Sequence, residues 1–366
     1  WLRLMRQVGV RTTLDLLRMP LQLAYADGTG LQLQAGRPVP ALLRAITRYP
    51  GWTWRERAAL LAAATGWTLR RFRCDSGLTV AQLCAGLPPR VRHELIDPLC
   101  VAALNTPTPQ ASAQVFLRVL HDALAGGSGS SDLLLPRADL GRLFPETAAD
   151  WLAHAGATVR RTHRVSELRP LPEGRWWVDG QAHDAVILAC SPIEAARLVR
   201  SHAPAWAECA LALRFEPIVT VYAHAPGARL PLPMMALRSG NTAPAQYVFD
   251  RGLLGGPSGL LAFVVSGAAS WVERGLDATG QAVLTQAQTE LSRYLRPPLR
   301  LVRSIVERRA TFLCEPALQR PASVIAPGLW AAGDYISGPY PATLEGAARC
   351  GVAAARQAGQ ASLERP

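Results

Sequence analysis

The residues best placed to do chemistry lie in one stretch, GLWAAGDYISGPYPATLEGAARCG at positions 328–351. Gly333 lets the backbone approach a ligand closely, and Asp334 can accept hydrogen bonds from the hydroxyls of a polyol. A helix that begins at Thr343 and Leu344 would direct its positive end at a ligand, where it could stabilise negative charge by ~0.3–1 kcal/mol. The simpler alternative is a turn and a helix cap in an ordinary α/β crossover.

A second candidate element lies upstream. Residues 184–190 (DAVILAC) are a continuous apolar run, which is typical of a strand buried on both faces. Ser191, Pro192 and Glu194 then supply an N-cap residue, a first-turn proline and the acid of a capping box. The amides at such a helix start could bind a phosphate. This segment therefore predicts an α/β element.

Other catalytic chemistries find little support in the sequence. The seven cysteines are widely spaced with no C-x-x-C, and the seven histidines form neither H-x-x-x-H nor H-E-x-x-H. We therefore expect neither a disulfide framework nor a metal site, and a reducing compartment fits best. Gly28 and Gly30 resemble the start of a phosphate-binding loop, but the third glycine is absent, so they predict a hairpin turn.

The elements that must position these residues are a mixture of helices and strands. Helical spacing predicts helices at 2–19, at about 278–295 (ending at Pro297 and Pro298), after residue 343 to about 357, and repeatedly from 40 to about 124, where they could line an apolar cavity. Alternating or apolar runs predict strands at 156–159, 163–168, 214–224, 245–250, 259–266 and 328–332, and hairpins at 21–34 and 175–183.

Composition excludes a disordered chain. The protein has 366 residues, of which 49% are hydrophobic and 18% charged, a length that favours about two domains. The formal charge is +12, and residues 1–73 hold twelve arginines and only three acids. These arginines alternate with apolar residues, which fits solvated helix faces or, alternatively, attraction to an anionic membrane at ~1 kcal/mol per basic residue. No nucleic-acid module accompanies the charge, so we expect no nucleic-acid partner.

The motifs resemble the amine-oxidase and phytoene-desaturase superfamily of flavoproteins. Its C-terminal flavin motif, strand–Gly–Asp–loop–helix, is similar to residues 328–351, and its middle flavin-domain segment is similar to residues 156–192. A finer resemblance is to the hydroxysqualene dehydroxylases, also called squalene-associated FAD-dependent desaturases. Three stretches carry it, namely PLCVAALNTP at 98–107, LPRADL at 135–140 and GDYISGPYPATLEG at 333–346.

The resemblance implies a mixed α/β fold in which an incomplete Rossmann-like FAD-binding domain is interleaved with a helix-rich, mixed-sheet substrate domain. The implied division is 1–134 and 201–300 for the substrate domain, and 135–200 and 301–366 for the FAD-binding domain. The FAD-binding residues it implies are Val165, Cys190, Gly333, Asp334, Ala342, Thr343 and Leu344. The G-x-G-x-x-G turn that holds the FAD pyrophosphate in this superfamily is absent from the sequence, so we expect a fragment of a longer protein.

The implied reaction is reductive dehydroxylation of hydroxysqualene to squalene by hydride from reduced FAD, within bacterial hopanoid biosynthesis. Tyr340 and Glu345 are the candidate acids that help the hydroxyl leave as water; the alternatives are a packing aromatic and a first-turn carboxylate. The implied partners are a C30 isoprenoid lipid, the enzymes of squalene synthesis and an anionic membrane, at the inner face of which a cytoplasmic protein could bind. A related carotenoid desaturase, an amine oxidase and a non-catalytic lipid-binding fragment remain alternatives.

Overall fold

The computed structural model describes residues 1–295 and 298–363, which form two compact units. Unit 1 contains Trp1–Gly9, Glu146–Arg214 and Leu318–Pro366, and unit 2 contains Val10–Pro145 and Phe215–Ala317. In the described part of the chain, no helix is both long and apolar enough to cross a bilayer.

The helices, in chain order, are α1 (Leu2–Gln7), α2 (Thr12–Asp15), α3 (Pro38–Thr47), α4 (Trp54–Leu69), α5 (Val80–Leu83), α6 (Pro89–Val91), α7 (Asp97–Leu104), α8 (Ala113–Ala125), α9 (Leu140–Leu143), α10 (Pro145–His154), α11 (Pro192–Val199), α12 (Pro204–Leu211), α13 (Ala269–Glu273), α14 (Leu276–Glu290) and α15 (Leu344–Leu363). Three shorter helical turns are the π-helical segment Arg92–Ile96 and the 3₁₀ segments Pro172–Gly174 and Gly252–Leu254.

The strands are β1 (Leu16–Met19), β2 (Gln22–Ala24), β3 (Gly30–Gln32), β4 (Leu133–Pro136), β5 (Leu168–Pro170), β6 (Trp176–Val178), β7 (Gln181–His183), β8 (Val186–Leu188), β9 (Phe215–His224), β10 (Met234–Ala236), β11 (Tyr247–Asp250), β12 (Leu260–Val265), β13 (Arg300–Phe312), β14 (Val324–Ala326) and β15 (Leu329–Ala331).

Unit 2 is built around an antiparallel sheet of five strands in the order β10-β11-β12-β9-β13. Buried side chains alternate along β9, as expected for a sheet with one covered face. Its core includes Val219, Val221 and Phe263 of the sheet together with Val283 and Leu291 from α14 and the turn after it. The predicted strands near 214–224, 245–250 and 259–266 are thereby confirmed.

The helical layer of unit 2 follows the sequence prediction for residues 40–124. Thr53 and Thr79 each begin a helix with a complete capping box, and Ser112 caps α8. Between α3 and α4, Tyr49 stacks on Trp52 with ring centroids 4.0 Å apart, and the Trp52 indole donates to Glu94 at 2.8 Å. This network fixes the loop that leads into α4.

The first segment departs from its prediction. The helix expected over residues 2–19 ends at Gln7, because Gly9 adopts a φ of 94°. Residues Leu16–Met19 instead pair antiparallel with Leu133–Pro136, so a long-range strand pairing overrides the helical spacing. The hairpin that follows is confirmed, since β2 pairs with β3 and the Asp27 carboxylate accepts the Thr29 amide at the turn.

Unit 1 contains a small sheet with the order β14-β15-β8, in which β15 and β8 are parallel. Helix α11 contributes Ala195, Ala196 and Val199 to one core cluster, which also contains Leu329. Helix α15 contributes Ala354 and Ala358 to a second cluster. The predicted hairpin at 175–183 is confirmed as β6 and β7, and the Trp176 indole of β6 donates to the Pro327 carbonyl at 2.9 Å.

Three predictions in unit 1 need correction. Residues 156–159 and 163–168 form no regular strand before Leu168. The apolar run at 184–190 forms only the three-residue strand β8, which lies at a sheet edge and is half-exposed except at Leu188. The capping box at Ser191 is incomplete: Ser191 accepts the Glu194 amide, but the Glu194 carboxylate binds Arg164 and Arg197 instead.

The unit boundaries also differ from those that the resemblance implied. Residues 135–145 belong to unit 2, where β4 pairs with β1, and residues 300–312 belong there because β13 pairs with β9. Residues 201–214 belong to unit 1, where α12 packs against α11. Helix α14 ends at Glu290, and Pro297 lies outside the described residues.

Candidate flavin site

The candidate site begins where β15 ends. The Ala332 amide donates to the Leu188 carbonyl of β8 at 2.9 Å, and the chain then turns at Gly333. A Cβ at Gly333 would lie 2.5 Å from the ring of Tyr335, closer than such atoms pack, so a side chain here would displace that ring. Only glycine therefore fits at position 333 while the Tyr335 ring stays in place.

Asp334 is a half-buried carboxyl at this bend. Burial raises its pKa above the ordinary aspartate value, although hydrogen bonds from the amides of Asp334 and Tyr335 and the nearby Arg320 guanidinium act in the opposite direction. Arg320 itself donates to the carbonyls of Ile336 and Gly338, so it also fixes the loop after the bend. Asp334 thus presents a polar group in an environment with little water.

Tyr335 is buried, with 2% of its surface exposed. Its hydroxyl has no hydrogen-bond partner in the described parts of the chain. Burial raises its pKa, and Cys190, Cys350 and Asp334 lie close enough to add to that effect. A buried hydroxyl without a partner costs ~1–3 kcal/mol, so this atom points to a polar group that the described residues do not supply.

Helix α15 starts as the sequence predicts. The Thr343 hydroxyl accepts the Gly346 amide at 3.0 Å and donates to the Tyr340 carbonyl at 2.9 Å, while the Thr343 carbonyl accepts the Ala347 amide at 3.0 Å. A Cβ at Gly346 would lie 2.0 Å from the Tyr340 carbonyl oxygen, so this first turn also requires glycine.

Two leading amides of α15 are available to a ligand. Within residues 1–295 and 298–363, no hydrogen bond joins the amides of Leu344 and Glu345 to a protein acceptor. Ala342, just before the helix, has a φ of 53°, and its amide donates to the Asp334 carbonyl at 3.3 Å. A left-handed alanine is strained, and such strain persists where the surroundings impose it. The bend at Asp334 and the helix start are therefore one connected structure.

The two candidate acids differ in their surroundings. The Glu345 carboxylate accepts a hydrogen bond from Arg349 Nε at 2.6 Å, and this ion pair favours its charged form. A carboxylate of this kind is a poor proton donor at neutral pH. Tyr340 is half-buried, with the Arg349 guanidinium 4.8 Å from its ring centroid.

Val165 and Cys190, two residues that the resemblance assigned to FAD, line the same cavity in unit 1. This cavity has a volume of about 850 Å³ and runs along residues 185–190, including β8. Arg164 and Arg197 reach its rim, where both bind the Glu194 carboxylate. Gly333, Asp334, Ala342, Thr343 and Leu344 do not line it.

The open cavity also explains why β8 is half-exposed. Its apolar side chains lie on a strand that is paired on one side only. A sequence this apolar is typical of a strand covered on both sides, so the cavity marks a surface that the described residues leave uncovered.

Sequence reasoning missed Tyr335 and Arg320. Tyr335 directly follows Asp334 in the quoted motif, so its position could have drawn attention to it, but only the fold shows that its hydroxyl is buried and unpaired. Arg320 lies fourteen residues before Asp334 in sequence, and nothing in the spacing indicates that they meet. No cluster of three or more His, Cys, Asp or Glu side chains suited to a metal ion occurs among the described residues.

Comparison with known families agrees with this geometry. A family model described as flavin containing amine oxidoreductase matches residues 1–358. The chain belongs to this family. The match covers both units, including the bend at Asp334 and the start of α15.

Two curated proteins are similar in sequence, and both are hydroxysqualene dehydroxylases. The one from Sinorhizobium fredii is 28% identical in an alignment 292 residues long, which covers 72% of this chain and 61% of that protein. The one from Rhodopseudomonas palustris is 29% identical in an alignment 278 residues long, which covers 71% of this chain and 61% of that protein. The aligned part thus spans about three fifths of the length of these relatives.

Solved structures show the same fold. An oxidoreductase from Methanosarcina mazei superposes with a TM-score of 0.66 at 13% identity, over 93% of this chain and 87% of that chain. Cyclohexylamine oxidase from Brevibacterium oxydans superposes with a TM-score of 0.63 at 15% identity, over 98% of this chain and 85% of that chain. At these identities the likeness concerns the fold alone, and it confirms the predicted mixed α/β class.

The residues present fit a flavin with its ribityl chain. The buried Tyr335 hydroxyl lacks a partner, the Asp334 carboxyl is held in a poorly solvated bend, and two amides at the start of α15 are free to meet negative charge. These three observations come from one connected segment, residues 333–346. The assignment of Val165, Cys190 and the other residues above to FAD remains a prediction.

Proposed function

We propose that this chain belongs to an FAD-dependent oxidoreductase that converts hydroxysqualene to squalene. Membership of the flavin amine oxidoreductase family supports the flavin, and the names of the two curated relatives support the substrate. The observation that carries the proposal is the unfilled polar environment at Tyr335, Asp334 and the first amides of α15.

The proposed reaction replaces an allylic hydroxyl with hydrogen. The C–O bond breaks, the hydroxyl takes up a proton and leaves as water, and the carbon receives a hydride. Reduced FAD, when bound, supplies that hydride and is oxidised. The enzymes that supply hydroxysqualene and consume squalene are then its neighbours in squalene and hopanoid synthesis.

The roles proposed for the protein's own residues are supported by the geometry of residues 333–346. The amides of Leu344 and Glu345 stabilise negative charge at the helix start by ~0.3–1 kcal/mol, or up to ~2 kcal/mol where they are partly buried. Asp334 accepts hydrogen bonds from hydroxyls, and the Tyr335 hydroxyl donates to an acceptor on the ligand. Tyr340 is the better of the two acid candidates, because the Arg349 guanidinium pairs with Glu345 and favours its carboxylate form.

The proposal is tested with the purified full chain, hydroxysqualene and dithionite-reduced FAD under anaerobic conditions, with products analysed by gas chromatography and mass spectrometry. Squalene should form only when reduced FAD is present. Flavin binding without squalene formation would refute the substrate assignment and direct the test to carotenoid precursors and amines. A folded chain that binds lipid but no flavin would instead support the non-catalytic alternative.

A further inference from the structure

Helix α4 carries an exposed, largely apolar face that no element in the described parts of the chain covers. Its most exposed apolar side chains stand at its two ends, Trp54 with 77% and Leu69 with 79% of the surface exposed. Between them Ala58, Ala62 and Thr65 are exposed at spacings of four and three residues, which places these five on one side of the helix over about 22 Å. Arg55 and Thr68 are also exposed, beside the two ends of this row.

The charge around this face is mainly positive. Residues 53–73 contain five arginines and one acid, Glu56. The Glu56 carboxylate is engaged in the capping box, where it accepts the Thr53 amide at 2.6 Å and the Thr53 hydroxyl at 2.9 Å. Exposed arginines flank both ends of the face, with Arg55 next to Trp54 and Arg70 next to Leu69.

The turn after α4 exposes two further arginines. Arg71 and Phe72 both adopt positive φ values, 53° and 55°, which is unusual for two successive residues with side chains. Phe72 turns toward α8, where its ring lies 5.4 Å from that of His121 and its carbonyl accepts the Gln114 amide. Arg71 and Arg73, on either side of it, are exposed.

The start of the helix is equally fixed. Trp52, only 4% exposed, is held by Tyr49 and Glu94, whereas Trp54 two residues later points to solvent. Trp54 is therefore exposed at a well-ordered helix start. Its ring also lies 5.6 Å from the Arg57 guanidinium.

We propose that this face, the α4 surface, docks on an anionic lipid membrane. Tryptophan favours the membrane–water interface, and each arginine near an anionic surface contributes attraction. A helix with apolar side chains at both ends, small residues between them and arginines beside them fits a peripheral position in which the headgroups meet the cations. This inference uses unit 2 alone and does not depend on the proposed reaction.

Flotation of the full chain with lipid vesicles tests the proposal. Vesicles of phosphatidylcholine with about one third phosphatidylglycerol should carry the chain to the top of the gradient, while pure phosphatidylcholine should not. Binding should fall as salt rises from ~0.1 M to ~1 M, because the Debye length shrinks from about 10 Å to about 3 Å.

Two variants locate the contact. The quadruple change of Arg55, Arg70, Arg71 and Arg73 to glutamine should weaken vesicle binding at least about tenfold, because four cations beside the membrane surface are lost. The matched control changes Arg300, Arg303, Arg308 and Arg309 of β13, which are also exposed, and removes the same charge. Equal losses in both variants would mean that net charge alone drives binding, and would overturn the proposal.

A second pair of variants tests the apolar contact. Trp54→Gln combined with Leu69→Gln should weaken binding about tenfold, whereas Leu140→Gln combined with Val302→Gln, at other exposed sites of unit 2, should not. Lipids brominated on their acyl chains should quench part of the tryptophan fluorescence, and Trp54→Phe should remove that part. If the folded double variant Trp54→Gln, Leu69→Gln binds vesicles as well as wild type does, the proposal is wrong. If the wild-type chain is a dimer and this variant is a monomer, the α4 surface joins two copies of the chain and does not bind lipid.

Discussion

At the candidate site, single residues are held in environments that the protein does not fully satisfy. Asp334 has its carboxyl pKa raised by burial, and the hydroxyl of Tyr335 is buried with no partner in the described residues. Ala342 is strained in the left-handed region. Such costs are typical of ligand sites, because the bound ligand compensates for them.

The first prediction concerns Asp334 and pH. Its folded-state pKa lies above its unfolded value, so the folded chain binds this proton more tightly. The resulting stabilisation is complete below the unfolded pKa of about 3.9 and is lost as the pH rises through the folded pKa. Asp334→Asn should therefore raise the melting temperature of the ligand-free chain at neutral pH, and the gain should shrink near pH 4.

The control for this measurement is Asp184→Asn. Asp184 is an exposed aspartate of unit 1, and its ion pair with Arg175 at 3.3 Å is a surface contact of little energetic weight. Its variant should melt with the wild-type pH dependence. A melting temperature that falls at neutral pH in Asp334→Asn would contradict the assignment of Asp334 as a destabilising ligand group.

The second prediction separates the two candidate acids. Tyr340→Phe should lower kcat for squalene formation about a hundredfold with little change in KM, because a positioned acid acts mainly in the transition state. Glu345→Gln should leave kcat within about threefold of wild type, since Glu345 is already paired with Arg349. Full turnover by Tyr340→Phe would remove the tyrosine from the mechanism.

Among the elements, the first turn of α15 and the edge strand β8 contribute most to the candidate site. The helix start was predictable from sequence, because Thr343 followed by a run of small residues is a strong signal for a capped helix. The edge position of β8 was not predictable. An apolar run indicates that a strand can be buried, but it does not indicate whether a second strand pairs with it.

The third prediction concerns the cap of α15. Thr343→Ala removes the acceptor of the Gly346 amide, and should lower the free energy of unfolding by ~1 kcal/mol. Thr343→Ser keeps that acceptor and should retain most of the stability. Urea unfolding monitored by circular dichroism compares the two variants, and equal losses in both would show that the Thr343 methyl group, rather than the cap, is responsible.

The fourth prediction concerns β8. The Val186 amide of β8 donates to the carbonyl of Gly328, the residue just before β15. Because successive amides of a strand point to opposite sides, the Ile187 amide points to the unpaired edge of β8. Hydrogen exchange resolved to single residues should show a fast Ile187 amide beside a protected Leu188 amide. Slow exchange at Ile187 would mean that this edge is covered in solution, for example by a second copy of the chain.

Taken as a whole, the chain builds two units from segments that alternate along the sequence. The alternation was predictable from the family resemblance, but its boundaries were not. Residues 133–136 and 300–312 belong to unit 2 through strand pairings with β1 and β9, and such long-range pairings leave no local signal in the sequence. The same limitation explains the failed helix at residues 16–19.

The whole-molecule charge is also unevenly placed. The excess of arginine in residues 1–73 was visible in the sequence, and the structure adds which of these side chains are exposed and that Trp54 and Leu69 stand among them. Composition alone could not separate a solvated helix face from a docking surface, because the distinction depends on which side of α4 faces the core.

The most direct test of the account is equilibrium binding of oxidised FAD to the purified full chain, followed by flavin fluorescence and absorbance. The account predicts saturable binding, weakened about tenfold or more in Asp334→Ala and unchanged in Asp184→Ala, because a lost hydrogen bond to a charged group costs ~1.5–3 kcal/mol. A chain that is folded by circular dichroism but shows no saturable binding, or an Asp334→Ala variant that binds as tightly as wild type, would contradict a flavin site at this bend.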